Sequence, residues 1–244
     1  MKRLLLLFVL LTSPLYANQE LAVDVSTREI EIRSNFDGSN ILIFGTFEQK
    51  EEEEETPSLA IVVEGPSENL TIWRKSPVLG MWFNTSMHKF KNVPSYYAAI
   101  SSTPLSTIWD RSYLAQNNIG LSFLDIGELS TQSSWRQALM EIKQNSKLYR
   151  EDQSGISFLK KKLFRVDVAL PSTAKPGLYK VTAYHFIDGR FSQSDVQELN
   201  IKRVGSGAYL AKMAQEKPAV YGLLAILMAL VTGYLSKIIL TRNR

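Results

Sequence analysis

Apolar and polar residues alternate with a period of two at both ends of the chain. Leu21, Val23 and Val25 alternate with polar neighbours, as do Ile30 and Ile32, which is the pattern of strands with one buried face. Asn35-Phe36-Asp37-Gly38 reads as a turn before the apolar run Ile41 to Phe47. Leu59 to Val63 ends at Gly65-Pro66, and Leu70 to Trp73, Met81 to Phe83 and Tyr96 to Ile100 read as further strands. Phe164, Val166, Val168 and Leu170 then alternate cleanly, and Pro176-Gly177 turns the chain into Leu178 to Ile187. Asp188-Gly189 follows, the dipeptide that suits a tight hairpin. Short strands separated by turn residues predict a mainly β fold, an immunoglobulin-like β-sandwich.

The middle has a different period. Thr103-Pro104 reads as an N-cap followed by proline at the first helical position, and Leu105, Ile108, Trp109 and Ser112 keep a helical spacing. A second helix starts at Ser133 or Ser134 and places Trp135, Ala138, Leu139 and Ile142 on one apolar face, with Arg136, Lys143 and Lys147 pointing elsewhere. Leu121 to Leu124 reads as a strand between them. Together they predict a helical insertion at about 103–150 that covers a sheet edge or offers a partner surface.

The two ends place the chain. From Ala219 to Ser236 there is no charged side chain, and about 20 apolar residues at 1.5 Å rise cross a bilayer core. The expected organisation is a transmembrane helix over 218–240, preceded by a juxtamembrane helix over 206–217 with Leu210, Met213 and Ala214, and followed by a tail over 241–244. At the other end Lys2 and Arg3 precede the apolar run Leu4 to Leu11, and Ser13-Pro14 leads to Ala17, which reads as a secretory signal peptide over 1–17. Leu15 stands where a small residue is preferred, so an uncleaved anchor stays open. Basic residues flank both sides of the span, so the signal peptide decides the orientation: residues 18–205 in the periplasm, the tail in the cytoplasm, the span in the inner membrane. With no cysteine in the chain, burial and not disulfide bonding must hold such a domain together.

Charge and motifs exclude more than they assign. Removing Lys2 and Arg3 lowers the formal charge from +4 to +2, and no basic stripe with interleaved aromatics marks a nucleic-acid groove. Lys160-Lys161-Lys162 reads as a solvated turn, and Glu51 to Glu55 as an extended solvated loop without the alternating ligands and turn glycine of a calcium site. His88 and His185 are the only histidines, with no metal-ligand spacing, and neither a nucleophile elbow nor a phosphate-binding glycine loop occurs. No catalytic, metal or cofactor residue is therefore assigned.

Two residue sets remain. Arg74, Lys75, Trp82, Asn84, Tyr96 and Tyr97 combine cations, aromatic faces and an amide, which would suit a small oxyanion or a carbohydrate; ordinary sandwich packing explains the same composition. Gly222, Ala225, Ala229, Gly233 and Ser236 fall within about an 80° sector of one helix at 100° per residue, a small-residue face that lets helix backbones approach closely in lipid.

Segments along nearly the whole chain also resemble a known family. Trp73-Arg74-Lys75, Gly80-Met81-Trp82-Phe83-Asn84, Asn92-Val93-Pro94-Ser95-Tyr96-Tyr97, Leu163-Phe164-Arg165, Pro176-Gly177-Leu178-Tyr179, Phe186-Ile187-Asp188-Gly189-Arg190 and Pro218-Ala219-Val220-Tyr221-Gly222-Leu223 resemble, in order, segments of single-pass membrane proteins from alphaproteobacteria. The resemblance implies a signal peptide, an extracytoplasmic β domain and a C-terminal span. It also implies an accessory role beside a permease resembling sulfite exporters. No catalytic or binding residue is defined for the family, so none carries over. Two functions follow from these readings: a membrane-anchored accessory or binding protein whose span packs on a polytopic permease or on a second copy, or an extracytoplasmic enzyme with a dispersed site.

Overall fold

Along strand β10 (Leu163–Pro171), Phe164, Val166, Val168 and Leu170 are buried and the residues between them are exposed. Such alternation belongs to a sheet with one face in water. β10 lies inside a four-stranded antiparallel sheet of order β1 (Ala22–Val25), β3 (Gly38–Thr46), β10, β9 (Ile156–Lys160). Gly45 on β3 fits only as glycine: a Cβ there would lie 2.4 Å from the Ala22 carbonyl oxygen and 2.6 Å from the Phe164 ring. The computed structural model describes residues 21–33, 36–47, 58–108, 110–127, 134–160 and 162–242. Residues 1–17, expected to be a signal peptide, and Asn35, the Glu51 to Glu55 run, Trp109, Ser133, Lys161, Asn243 and Arg244 lie outside the described residues.

The second sheet has six strands in the order β2 (Glu29–Ile32), β12 (Arg190–Arg203), β11 (Gly177–Ile187), β4 (Ser58–Glu64), β7 (Tyr97–Ser101), β8 (Tyr149–Asp152). Its pairs are antiparallel except β12 with β2 and β7 with β8. Leu59, Ala60, Ile61, Val62 and Val63 are all buried, because this sheet is covered on both faces. Leu59, Ile61 and Val63 join Val181, Ala183, Val166 and Val168 in a core shared with the four-stranded sheet. Ala60 and Val62 join Tyr97, Tyr184 and Phe186 in a second core on the opposite face. The fold is mainly β and carries one apolar C-terminal helix.

The segment between β7 and β8 supplies the lid of that second core through Leu105, Ile108, Leu114, Ile119, Leu124, Ile126 and Leu139. It covers a sheet face, not an edge, and its local structure departs from expectation in three places. The first predicted helix is divided into a 3-10 turn, Leu105–Thr107, and α1 (Arg111–Gln116). Asp110 restarts the helix as its cap, its carboxylate accepting from the Tyr113 amide at 2.9 Å. Leu121 to Leu124 forms turns, not a strand, and there the Phe123 amide donates to the Gly120 carbonyl at 3.1 Å. Helix α2 (Ser134–Asn145) is rotated from its predicted face: Arg136, Leu139 and Lys143 are buried and Ile142 is exposed.

His185 is buried on β11, its ring 5.2 Å from that of Phe47. Desolvation lowers its pKa below the ordinary histidine value, so folding favours the neutral ring. Because the unfolded chain binds the proton more readily, stability is full above about pH 6.5 and declines as pH falls from there towards the folded-state pKa. His185→Phe is expected to flatten the dependence of thermal stability on pH between about 5 and 7. Parallel melting curves of both proteins would show it.

Candidate functional site

Among the described residues, strands β5 (Ser67–Val78) and β6 (Met81–Pro94) pair only with each other, yet they continue an element of the six-stranded sheet. β4 pairs with β7 up to Glu64 opposite Tyr97. The ladder then runs on through Gly65 donating to the Tyr96 carbonyl at 2.8 Å and Ser95 donating to the Pro66 carbonyl at 2.9 Å, into Ser67 opposite Pro94. Residues 58–101 therefore form one long hairpin whose inner half is sheet and whose outer half projects as a two-stranded ribbon. A free ribbon of two strands is marginal in water, so it needs support along its length.

Support comes from α2 and from the root. Phe90 is buried in the second core with Leu70 and Ile72 against it. The His88 ring lies 5.7 Å from Trp135 in a stacked arrangement, and the Arg74 guanidinium sits 4.5 Å over the same indole while donating to Ser134 Oγ at 2.9 Å. At the root, Lys143 Nζ lies 2.5 Å from Glu68 Oε1 and donates to the Ser95 carbonyl at 3.2 Å. Lys175 pairs with the other Glu68 oxygen. Desolvation pushes the Glu68 carboxyl up, but hydrogen bonds from both lysines and their charges outweigh it and hold the group below the ordinary glutamate value. Tyr149 closes the root by donating its hydroxyl to the Pro94 carbonyl at 2.7 Å.

Beyond α2 the ribbon is exposed. A bulge at Arg74/Lys75 is bridged by Thr85, whose hydroxyl donates to the Arg74 carbonyl at 3.3 Å and lies within hydrogen-bond distance of Ser76 Oγ at 3.0 Å. By register, Trp73 opposite Met87 and Pro77 opposite Trp82 lie on one face, away from the face carrying Arg74, His88 and Phe90. The tip Pro77-Val78-Leu79-Gly80-Met81-Trp82-Phe83 has no polar side chain except the indole N–H. Leu79 is 96% exposed and Trp82 70%. Leaving either in water forgoes roughly 1.5–3 kcal/mol relative to burying it. An exposed apolar patch of this kind on a supported element marks an interaction surface.

The structure divides the ligand set expected from the sequence. Arg74, Lys75, Trp82 and Asn84 lie on the ribbon, with Lys75 opposite Asn84. Tyr96 and Tyr97 are buried in different cores: Tyr96 donates to the Ala169 carbonyl at 2.9 Å on the sandwich side, and Tyr97 to the Asn118 carbonyl at 2.5 Å on the other. Both rings are buried, so neither tyrosine shares the exposed surface of Trp82. Burial pushes Tyr179 and Tyr184 up to about 12 and Tyr96, Tyr97 and Tyr149 further, so none of these phenols is a base near neutral pH. The missed part of the surface is the tip itself, which the unbroken apolar run around Leu79-Gly80 could have revealed.

An open groove of about 670 Å³ lies elsewhere, between Asp37 to Asn40, Lys147, Tyr149 and Arg150, and Ala169 to Pro171. Its tyrosine, Tyr149, has its hydroxyl committed to the ribbon root.

Helix α3 (Ser206–Glu216) follows β12 and exposes Tyr209 and Leu210. Helix α4 (Pro218–Arg242) follows it, and its segment Pro218–Lys237, 20 residues, is long and apolar enough to cross a membrane, with none of it buried inside the chain. Gly222, Ala225, Ala229, Gly233 and Ser236 lie on α4, and a Cβ built on Gly222 or Gly233 would meet no other part of the described chain within 4 Å. No curated protein matches the chain. Residues 20–242, nearly its whole length, match the family described as "Putative transmembrane protein (Alph_Pro_TM)", and the chain belongs to that family.

Proposed function

We propose that this is a membrane-anchored, extracytoplasmic accessory or binding protein. Residues 1–17 direct export, the β domain stands in the periplasm, α4 crosses the inner membrane and the basic end of the chain stays in the cytoplasm. The observation that carries the reading is α4: an apolar helix left wholly uncovered by its own domain, whose solvent is lipid. Its small face packs on a partner span, either that of a polytopic permease resembling sulfite exporters or that of a second copy. In lipid, close backbone approach gains dispersion contacts that bulky side chains prevent.

Crosslinking in native membranes, followed by mild-detergent purification and mass spectrometry, tests this. The wild-type chain is expected to bring down a permease or a second copy. The Ala229→Leu/Gly233→Leu variant is expected to insert normally and lose that product. Equal recovery from both would remove the small face from the proposal, and recovery of the wild type alone would remove the accessory role.

A further inference from the structure

We propose that the β5–β6 ribbon is a second membrane contact, its tip dipping into the lipid headgroup and acyl boundary beside the anchor. The inference rests on the anchored reading above and adds a distinct site to it.

Three observations point to lipid as the occupant. First, Leu79 occupies a turn position with φ of 51° that favours glycine or asparagine, followed by Gly80 at 80°. Nothing among the described residues compensates for that choice, since the side chain is almost fully exposed. An apolar side chain held in a strained position at a solvent-exposed apex gains its return outside the chain.

Second, charge is segregated along the ribbon. Asn69 to Val93 contains Arg74, Lys75, Lys89 and Lys91 and no aspartate or glutamate. Lys75, Lys89 and Lys91 are exposed behind the apolar tip. An apolar end followed by cations matches the order of layers in an anionic bilayer, acyl chains and then phosphate headgroups. Trp82 near the tip and Trp73 further back are the aromatic type that settles at the interface between them.

Third, the geometry allows it. A 12-residue strand is about 40 Å long, whereas the 11-residue α3 that ties the domain to α4 spans only about 16 Å. Tyr209 and Leu210, exposed on α3, favour a position along the membrane surface and keep the domain close to it. Because β4 and β12 both run antiparallel to β11, the ribbon that continues β4 and the α3 that follows β12 leave the sheet at the same end, and the ribbon is long enough to reach the bilayer to which its own chain is tied. Its root, fixed by Glu68, Lys143 and Tyr149, makes it a strut and not a loose flap.

The chain has no cysteine, so single cysteines report single positions. The full chain carrying Leu79→Cys, Leu230→Cys or Ser154→Cys is labelled with an environment-sensitive fluorophore and reconstituted into phosphatidylcholine vesicles containing phosphatidylglycerol. Doxyl-labelled lipids then serve as quenchers. Leu79→Cys is expected to be quenched several-fold more than Ser154→Cys, by shallow more than by deep doxyl positions, and Lys75→Glu/Lys89→Glu in that background is expected to reduce the quenching. Quenching of Leu230→Cys without quenching of Leu79→Cys overturns the second contact and leaves the anchor standing. Failure of both labels to be quenched overturns the anchored reading instead. A blue shift at Leu79→Cys without lipid quenching is a contact between copies of the chain, and it also overturns the inference.

Discussion

Lys143→Ala is expected to destabilise the domain by about 3 kcal/mol and to release the ribbon first. The Lys143 side chain is 5% exposed and that of Glu68 10%, so removing the ammonium leaves a carboxylate in a dry site with Lys175 as its remaining cation. Lys175 is itself 58% exposed and screened by water, and Lys175→Ala is expected to cost well under about 1 kcal/mol. The penalty comes from stranding the partner charge, so Lys143→Met/Glu68→Gln, which neutralises both groups at similar volume, is expected to recover most of it.

The pH dependence identifies the cause. In the wild type the two lysines hold the Glu68 carboxyl below its ordinary value, so the pair's contribution is present above about pH 4.3 and is lost as pH falls through the folded-state pKa. Without Lys143, desolvation, already the largest influence on Glu68, raises that pKa instead. The defect is therefore expected to be larger at pH 7 than near pH 4. Thermal melts across that range give the defect, and hydrogen exchange over residues 67–94 of the full chain in micelles shows whether the ribbon opens before the sandwich. A defect of equal size at both pH values would mean that lost packing around the lysine stem causes it.

The same pair shows where sequence reading runs out. β10 and the Asp188-Gly189 hairpin are legible because their determinants are local: strict alternation in the first, and two successive positive φ angles, 51° and 72°, in the second. The rotation of α2 is not local. Apolar spacing selects Ile142 and sends Arg136 and Lys143 to solvent, but carbonyls and a carboxylate distant in sequence reverse that order. Arg136 donates to the Leu121 and Leu124 carbonyls at 3.2 and 2.9 Å, and Lys143 meets Glu68 across 75 residues. A helix face can be set by cations when the surrounding loops supply acceptors.

The ribbon was partly legible for a related reason. Its outer half has no core to impose alternation, and bulges at Glu68/Leu70 and Arg74/Lys75 break the period, so it reads as two short strands, Leu70 to Trp73 and Met81 to Phe83. Residue type alone grouped Tyr96 and Tyr97 with Trp82. The two-residue period of a strand already separates Tyr96 from Tyr97, and the continuity of β4 with β5 and of β6 with β7 separates both from the tip. The parallel pairing of β7 with β8 joins segments some 50 residues apart and leaves no local sign.

Tyr97→Phe is expected to cost about 3 kcal/mol, far more than the loss of one exposed hydroxyl. The Tyr97 hydroxyl donates to the Asn118 carbonyl at 2.5 Å and accepts from the Gly120 amide at 2.7 Å in a buried position. Phenylalanine fills the same space and offers neither bond, leaving the buried Gly120 amide and the part-buried Asn118 carbonyl unsatisfied, at roughly 1–3 kcal/mol for a fully buried group. Those groups sit in a turn with little freedom to find other partners: Asn118 and Gly120 hold φ of 55° and 101°, and the Leu121 amide is tied to Glu151 at 2.8 Å. Tyr113→Phe, a half-buried ring stacked 4.2 Å from Phe191, is the matched control and is expected to cost little. Hydrogen exchange locates the effect. In Tyr97→Phe the Gly120 amide is expected to exchange faster by orders of magnitude, together with α2 and the ribbon residues around Phe90 that share its core, while the β3–β10 ladder keeps its protection. Uniform acceleration across both sheets would mean that the second core has no independent stability, and that the ribbon is held as firmly as the sandwich beneath it.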